Sequence, residues 1–143
     1  MSTRANIIIK DQSDSLTFYR HSDGYPEGVA KTLGEFLRLI KNDRIRDNVE
    51  QASGWLILLG YEEYSQEPRG NNLEKMRANT KGTGLYGWKV GAYEPSVGIH
   101  CDIEYLYEID LGKKTINAWE HNGEKKGKCV TVDLLYAIDT TAA

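Results

Sequence analysis

The sequence predicts an α+β fold: a single domain over residues 1–143, with an antiparallel sheet of about five to six strands and two helices packed on one face. Three observations lead there. Apolar and polar residues alternate near the N-terminus, two helical stripes follow, and about four strand-like segments close the chain, giving the order ββαα then ββββ. Strands and helices grouped in blocks, rather than strictly alternating, mark an antiparallel sheet with its helices segregated to one side. At 143 residues, 40% of them apolar and 27% charged, the chain can bury a core without metal or disulfide support.

Residues 4–9 place Ala5, Ile7 and Ile9 on one side, and residues 15–21 resume the pattern after the polar run Lys10-Asp11-Gln12-Ser13-Asp14. That is a hairpin. Val29, Leu33, Phe36, Leu37 and Ile40 then form the stripe of an amphipathic helix. Pro26 suits its first turn, where a missing N–H costs nothing and φ is already helical. A second helix is expected to start near Asp47, a good N-cap residue. Its stripe is Val49, Ala52, Leu56 and Leu59, widened by Trp55 and Ile57, and Gly54 is expected to admit a neighbouring backbone.

Residues 65–91 carry Gly70, Gly82, Gly84, Gly87 and Gly91 and read as a long loop, a kind of segment in which function concentrates. Residues 88–93 read as a strand ended by Glu94-Pro95. Residues 99–109 read as the clearest strand, with Ile99, Cys101, Ile103, Tyr105, Tyr107 and Ile109 facing in and His100, Asp102, Glu104, Leu106 and Glu108 facing water. A turn at Leu111-Gly112-Lys113 leads into a strand over 114–121. Asn122-Gly123 is a hairpin signal that leads to a last strand over 128–137.

The net charge of −3 argues against a nucleic-acid polymer as partner, which would call for a strongly basic chain. Cys101 and Cys129 have neither CxxC nor zinc spacing and read as two reduced thiols. No stretch approaches the ~20 apolar residues of a membrane span, and the first residues lack a signal-peptide core, so the expected location is cytoplasmic. No cofactor and no metal are implied.

Chemistry is densest at the corner Phe18-Tyr19-Arg20-His21-Ser22-Asp23-Gly24-Tyr25-Pro26-Glu27-Gly28. A strand that turns through a glycine into a helix N-terminus leaves amides pointing outward, and the helix dipole favours anions there. Arg20, His21, Ser22, Asp23 and Tyr25 are therefore candidate contacts to an anionic ligand. The competing reading is structural: a Ser22-Asp23-Gly24 turn with Arg20 in a salt bridge. Residues 69–89 hold five cations against Glu74, so Tyr86, Trp88 and Lys89 could stack on a base and grip a phosphate. His100, Asp102 and His121 form a metal or acid–base cluster only if the hairpin register brings them together. Motifs for nucleophilic catalysis such as GxSxG or HExxH do not occur.

The corner, together with Arg4-Ala5 and Glu104-Tyr105-Leu106-Tyr107-Glu108-Ile109-Asp110, resembles a group of small proteins from phages and prophage-like regions. The resemblance covers the N-terminal third and the long strand and carries over no fold or catalytic residues. It implies a mobile-element origin and action inside an infected bacterium. It also implies work by binding: counter-defence through sequestration of an anionic nucleotide-like signal or blockade of a host defence protein. The alternatives are a small hydrolase or nuclease-like enzyme using His and Asp residues, and a homo-oligomeric module whose acidic strand meets its basic loop.

Overall fold

The computed structural model describes residues 2–65, 73–74 and 90–141. The elements run β1 Ala5–Lys10, β2 Ser15–Arg20, α1 Pro26–Lys41, α2 Val49–Ser65, β3 Glu94–Ser96, β4 Tyr105–Asp110, β5 Thr115–His121, β6 Lys126–Cys129 and α3 Thr131–Thr141. This is the expected α+β domain. Its six-stranded sheet has the order β3-β2-β1-β4-β5-β6.

The predicted N-terminal hairpin forms, with Ile7 opposite Phe18. Asp11 closes its turn, accepting from the Ser13 and Asp14 amides at 2.8 Å each. The other Asp11 oxygen accepts from Val49 N at 2.9 Å, while Asn48 Oδ1 accepts from Gln51 N at 3.1 Å. Asn48 and Asp11, rather than Asp47, therefore satisfy amides that the start of α2 leaves unpaired.

The sheet is mixed rather than purely antiparallel. At its centre β1 and β4 are parallel, with Ile7 opposite Tyr107. The chain from β2 through α2 supplies the long crossover that a parallel pair needs. Strand β3 forms at Glu94–Ser96, where the sequence suggested that a strand would stop. Pro95 is tolerated there because β3 is an edge strand. The strand expected from residue 99 begins only at Tyr105. Before it, His100 N donates to the Asn6 side-chain Oδ1 rather than to a strand backbone.

Among the described residues three helices, α1, α2 and α3, rather than the expected two, cover one face. The segment expected to be the last strand stops at Cys129 and becomes α3. Leu134, Ala137 and Ile138, at helical spacing, are buried, whereas Val132, Leu135 and Tyr136 are exposed. Apolar residues occur at both parities here, so no period of two holds the segment in a sheet. Helix α3 packs on α1 at Gly34, where an added Cβ would lie 2.9 Å from Ile138 Cγ2. Gly54, by contrast, has no atom of the described residues within 4 Å of where a Cβ would stand.

All five residues of the predicted α1 stripe are buried in the core between helices and sheet. Burying a side chain such as Phe36 contributes about 1.5–3 kcal/mol. Trp55 does not widen the α2 core face; it is 40% exposed. On the other sheet face, Tyr19, Ile103 and Leu106 form a small second cluster against Ile8. Among the described residues, no helix is long and apolar enough to cross a membrane. The 65–91 segment lies almost wholly outside the described residues.

Candidate functional site at the corner between β2 and α1

The corner is built inward. Alternation along β2 points Arg20 to the helix side of the sheet, where it is 2% exposed. A bare guanidinium there would be strongly disfavoured, and the fold supplies a partner for it. Arg20 Nη1 donates to Glu63 Oε1 at 3.0 Å and Nη2 to Glu63 Oε2 at 2.7 Å. Nε donates to Ser22 O at 2.7 Å, and the guanidinium carbon sits 5.0 Å from the centre of the Tyr93 ring. Burial works against the Arg20 charge, but Tyr93 and Glu63 outweigh it and hold its pKa above the ordinary guanidinium value.

The buried tyrosines lock this arrangement. The Tyr93 hydroxyl shares a short hydrogen bond with Thr32 of α1, and burial raises its pKa despite the opposing effects of Arg20 and Thr32. Tyr107 donates to Gly24 O at 2.6 Å, and burial, followed by its tyrosine neighbours, pushes its phenol upward as well. Gly24 N donates to Thr3 O at 2.9 Å and Gly28 N to Tyr25 O at 2.9 Å. Two corner amides thus have partners within the protein. A Cβ at Gly28 would lie 2.0 Å from Asp23 O, so only glycine lets the turn close onto the helix.

In front of the buried pair lies a cleft of about 310 Å³ between the corner, α1 and α2. Asp23, Tyr25, Lys31, Glu35, Glu62 and the Arg20–Glu63 pair line it. Asp23 adopts φ 55°, the left-handed region that Asp tolerates in turns, and its Oδ1 lies 3.5 Å from the Tyr25 hydroxyl. Asp23, Tyr25 and Arg20 therefore converge on one cleft. Ser22 contributes its carbonyl to Arg20, and His21 lies on the other side, its ring 6.3 Å from that of Tyr19. Tyr86, Trp88 and Lys89 lie outside the described residues. Sequence reasoning missed Lys31, Glu35, Thr32, Glu63 and Tyr93 as members of this corner; nothing local connects them to Arg20.

The three-residue histidine cluster does not assemble. His100 stacks on Tyr19 at 3.9 Å, and its Nδ1 lies 4.0 Å from Asp102. His121 Nδ1 instead accepts from Gly123 N at 2.9 Å. Among the described residues, no group of three or more His, Cys, Asp or Glu side chains could hold a metal ion. Cys101 and Cys129 are exposed and unbridged. Cys101 lies in the segment before β4 rather than in a strand.

Compared with protein-family models, with curated proteins and with solved structures, the chain matches none of them.

Proposed function

We propose that the protein is a non-catalytic binding protein that acts on another protein rather than by sequestering a polyanionic nucleotide. The observation that carries this reading is the closure of Arg20 by Glu63. The most chemically marked cation of the corner is spent on structure, and Lys31 shares the cleft with the carboxylates of Asp23 and Glu35. A di- or triphosphate needs several converging cations or open amides, and the described lining gives weak support for that. The resemblance to small phage and prophage proteins supplies the setting: counter-defence by blocking a host defence protein.

Titration calorimetry and thermal unfolding against a panel of mono-, di- and cyclic nucleotides test this reading. No heat and an unchanged melting temperature are expected throughout. Saturable binding of any nucleotide that is lost in Lys31→Ala would overturn the reading and restore the sequestration model.

A further inference from the structure

Resting on that protein-binding reading, we propose that a groove centred on Tyr105 and Tyr136 docks a basic segment of the partner protein. Two depressions, about 440 and 200 Å³, meet at Tyr105 and Glu120, and the smaller reaches Pro26 and Glu27 at the start of α1. Tyr105 gives the groove an aromatic floor, and Tyr136 on α3, 71% exposed, gives it a wall. Val132, 80% exposed one turn earlier on α3, extends the apolar surface.

Charge complementarity selects the occupant. Glu27, Glu104, Glu120 and Asp133 rim the groove, against Lys128. Elsewhere on the sheet Glu108 pairs with Lys10 and Lys126, and Asp102 with Arg4. These four carboxylates make no ion pair with any described residue. They act on one point: after burial itself, Glu120, Glu27, Glu104 and Asp133 are what push the Tyr105 phenol upward. Exposed like charges within a Debye length repel one another, and an incoming cation relieves that repulsion. A Lys or Arg side chain laid on a tyrosine face gains cation–π attraction at the same place. A second copy docking groove to groove would set acid against acid, so a symmetric dimer here is disfavoured.

The test uses the full-length protein, a fluorescein-labelled octapeptide rich in Arg and Lys, and its Glu-substituted counterpart, read by anisotropy at low and physiological salt. The basic peptide is expected to bind and the acidic one not. Tyr136→Ala, an exposed change that leaves the core intact, should weaken binding about tenfold, as should Glu120→Gln combined with Asp133→Asn. The control pair Asp14→Asn with Glu50→Gln, exposed acids elsewhere, should change it less than about twofold. Failure of the basic peptide to bind at low salt, or equal losses in groove and control variants, overturns the groove while leaving the protein-binding reading standing. A homodimer in sedimentation that the groove variants dissolve also overturns it. A nucleotide that binds saturably overturns the reading beneath it.

Discussion

Arg20 and Glu63 meet through two parallel hydrogen bonds of 3.0 and 2.7 Å, joining the end of β2 to the last turns of α2. The Arg20 side chain is 2% exposed and that of Glu63 19% exposed, so the guanidinium is fully buried and its carboxylate partner mostly so. The two are worth far more together than apart. Removing one partner strands a charge, whereas replacing both with apolar groups removes the problem. Glu63→Ala is therefore expected to cost about 3 kcal/mol in urea denaturation. Arg20→Met combined with Glu63→Met should return to within about 1 kcal/mol of the parent. If the double variant is as unstable as the single one, the pair contributes directly rather than through its unmatched half.

Helix packing gives a second, paired prediction. Gly34 lies against Ile138, whereas no atom of the described residues stands within 4 Å of a Cβ at Gly54. Gly54→Ala should stabilise the protein by up to about 1 kcal/mol, the helix-propensity difference alone. Gly34→Ala gains the same propensity but overpacks the contact between α1 and α3, so a net loss of about 1 kcal/mol is expected. Trimming the neighbour, Ile138→Ala, which removes both γ carbons that the added Cβ would meet, should be less harmful in the Gly34→Ala background than in the parent. Thermal unfolding of the four variants decides this, and additive effects would remove the contact from the account.

The start of α2 predicts a pH dependence. Asp11 holds a carboxyl pKa below its ordinary value because Val49 N, then the Asp14 and Ser13 amides, hydrogen-bond its charged form. A depressed folded-state pKa stabilises the fold above the unfolded value, and the benefit disappears as pH falls through the folded value. The stability difference between the parent and Asp11→Ala should therefore be full at pH 6 and shrink progressively below about pH 4. A difference that stays flat down to pH 2 would mean that the carboxylate charge is not what caps the helix.

How much of this was legible in the sequence depends on the distance over which each feature acts. The α1 stripe from Val29 to Ile40 and the Ile7–Phe18 hairpin are local patterns, and both formed as expected. The parallel pairing of β1 with β4 was not readable, because alternation reports which face a residue takes and not which way a strand runs. Glu62 and Glu63 look alike in sequence; only the roll of α2 decides that Glu63 reaches Arg20. Helix α3 is not legible because Leu134 and Leu135 are both apolar, and only the fold, which buries Leu134 and leaves Leu135 40% exposed, shows which of them faces the core. At the candidate site, Arg20, Asp23 and Tyr25 came from local chemistry, while their partners lie on α1, α2 and the segment before β3.

The two cysteines give a final prediction. Both are exposed, so access alone would make them react alike. Cys129 differs in its surroundings: its Sγ lies 3.3 Å from the Thr131 hydroxyl, and the Thr131 side chain and amide lower its thiol pKa. Hydrogen bonds to a thiolate favour the charged form, and the thiolate is the species that alkylates. At pH 7.5 iodoacetamide should therefore modify Cys129 ahead of Cys101, as read by peptide mass spectrometry over time. Thr131→Val removes the hydroxyl and keeps the amide, so it should slow Cys129 without changing Cys101. Thr131 also accepts from Ala118 N at 2.9 Å, so the variant's melting temperature must be measured alongside. A slower Cys129 in a variant that melts with the parent assigns the effect to the hydrogen bond. Equal rates at the two thiols in the parent would rule it out.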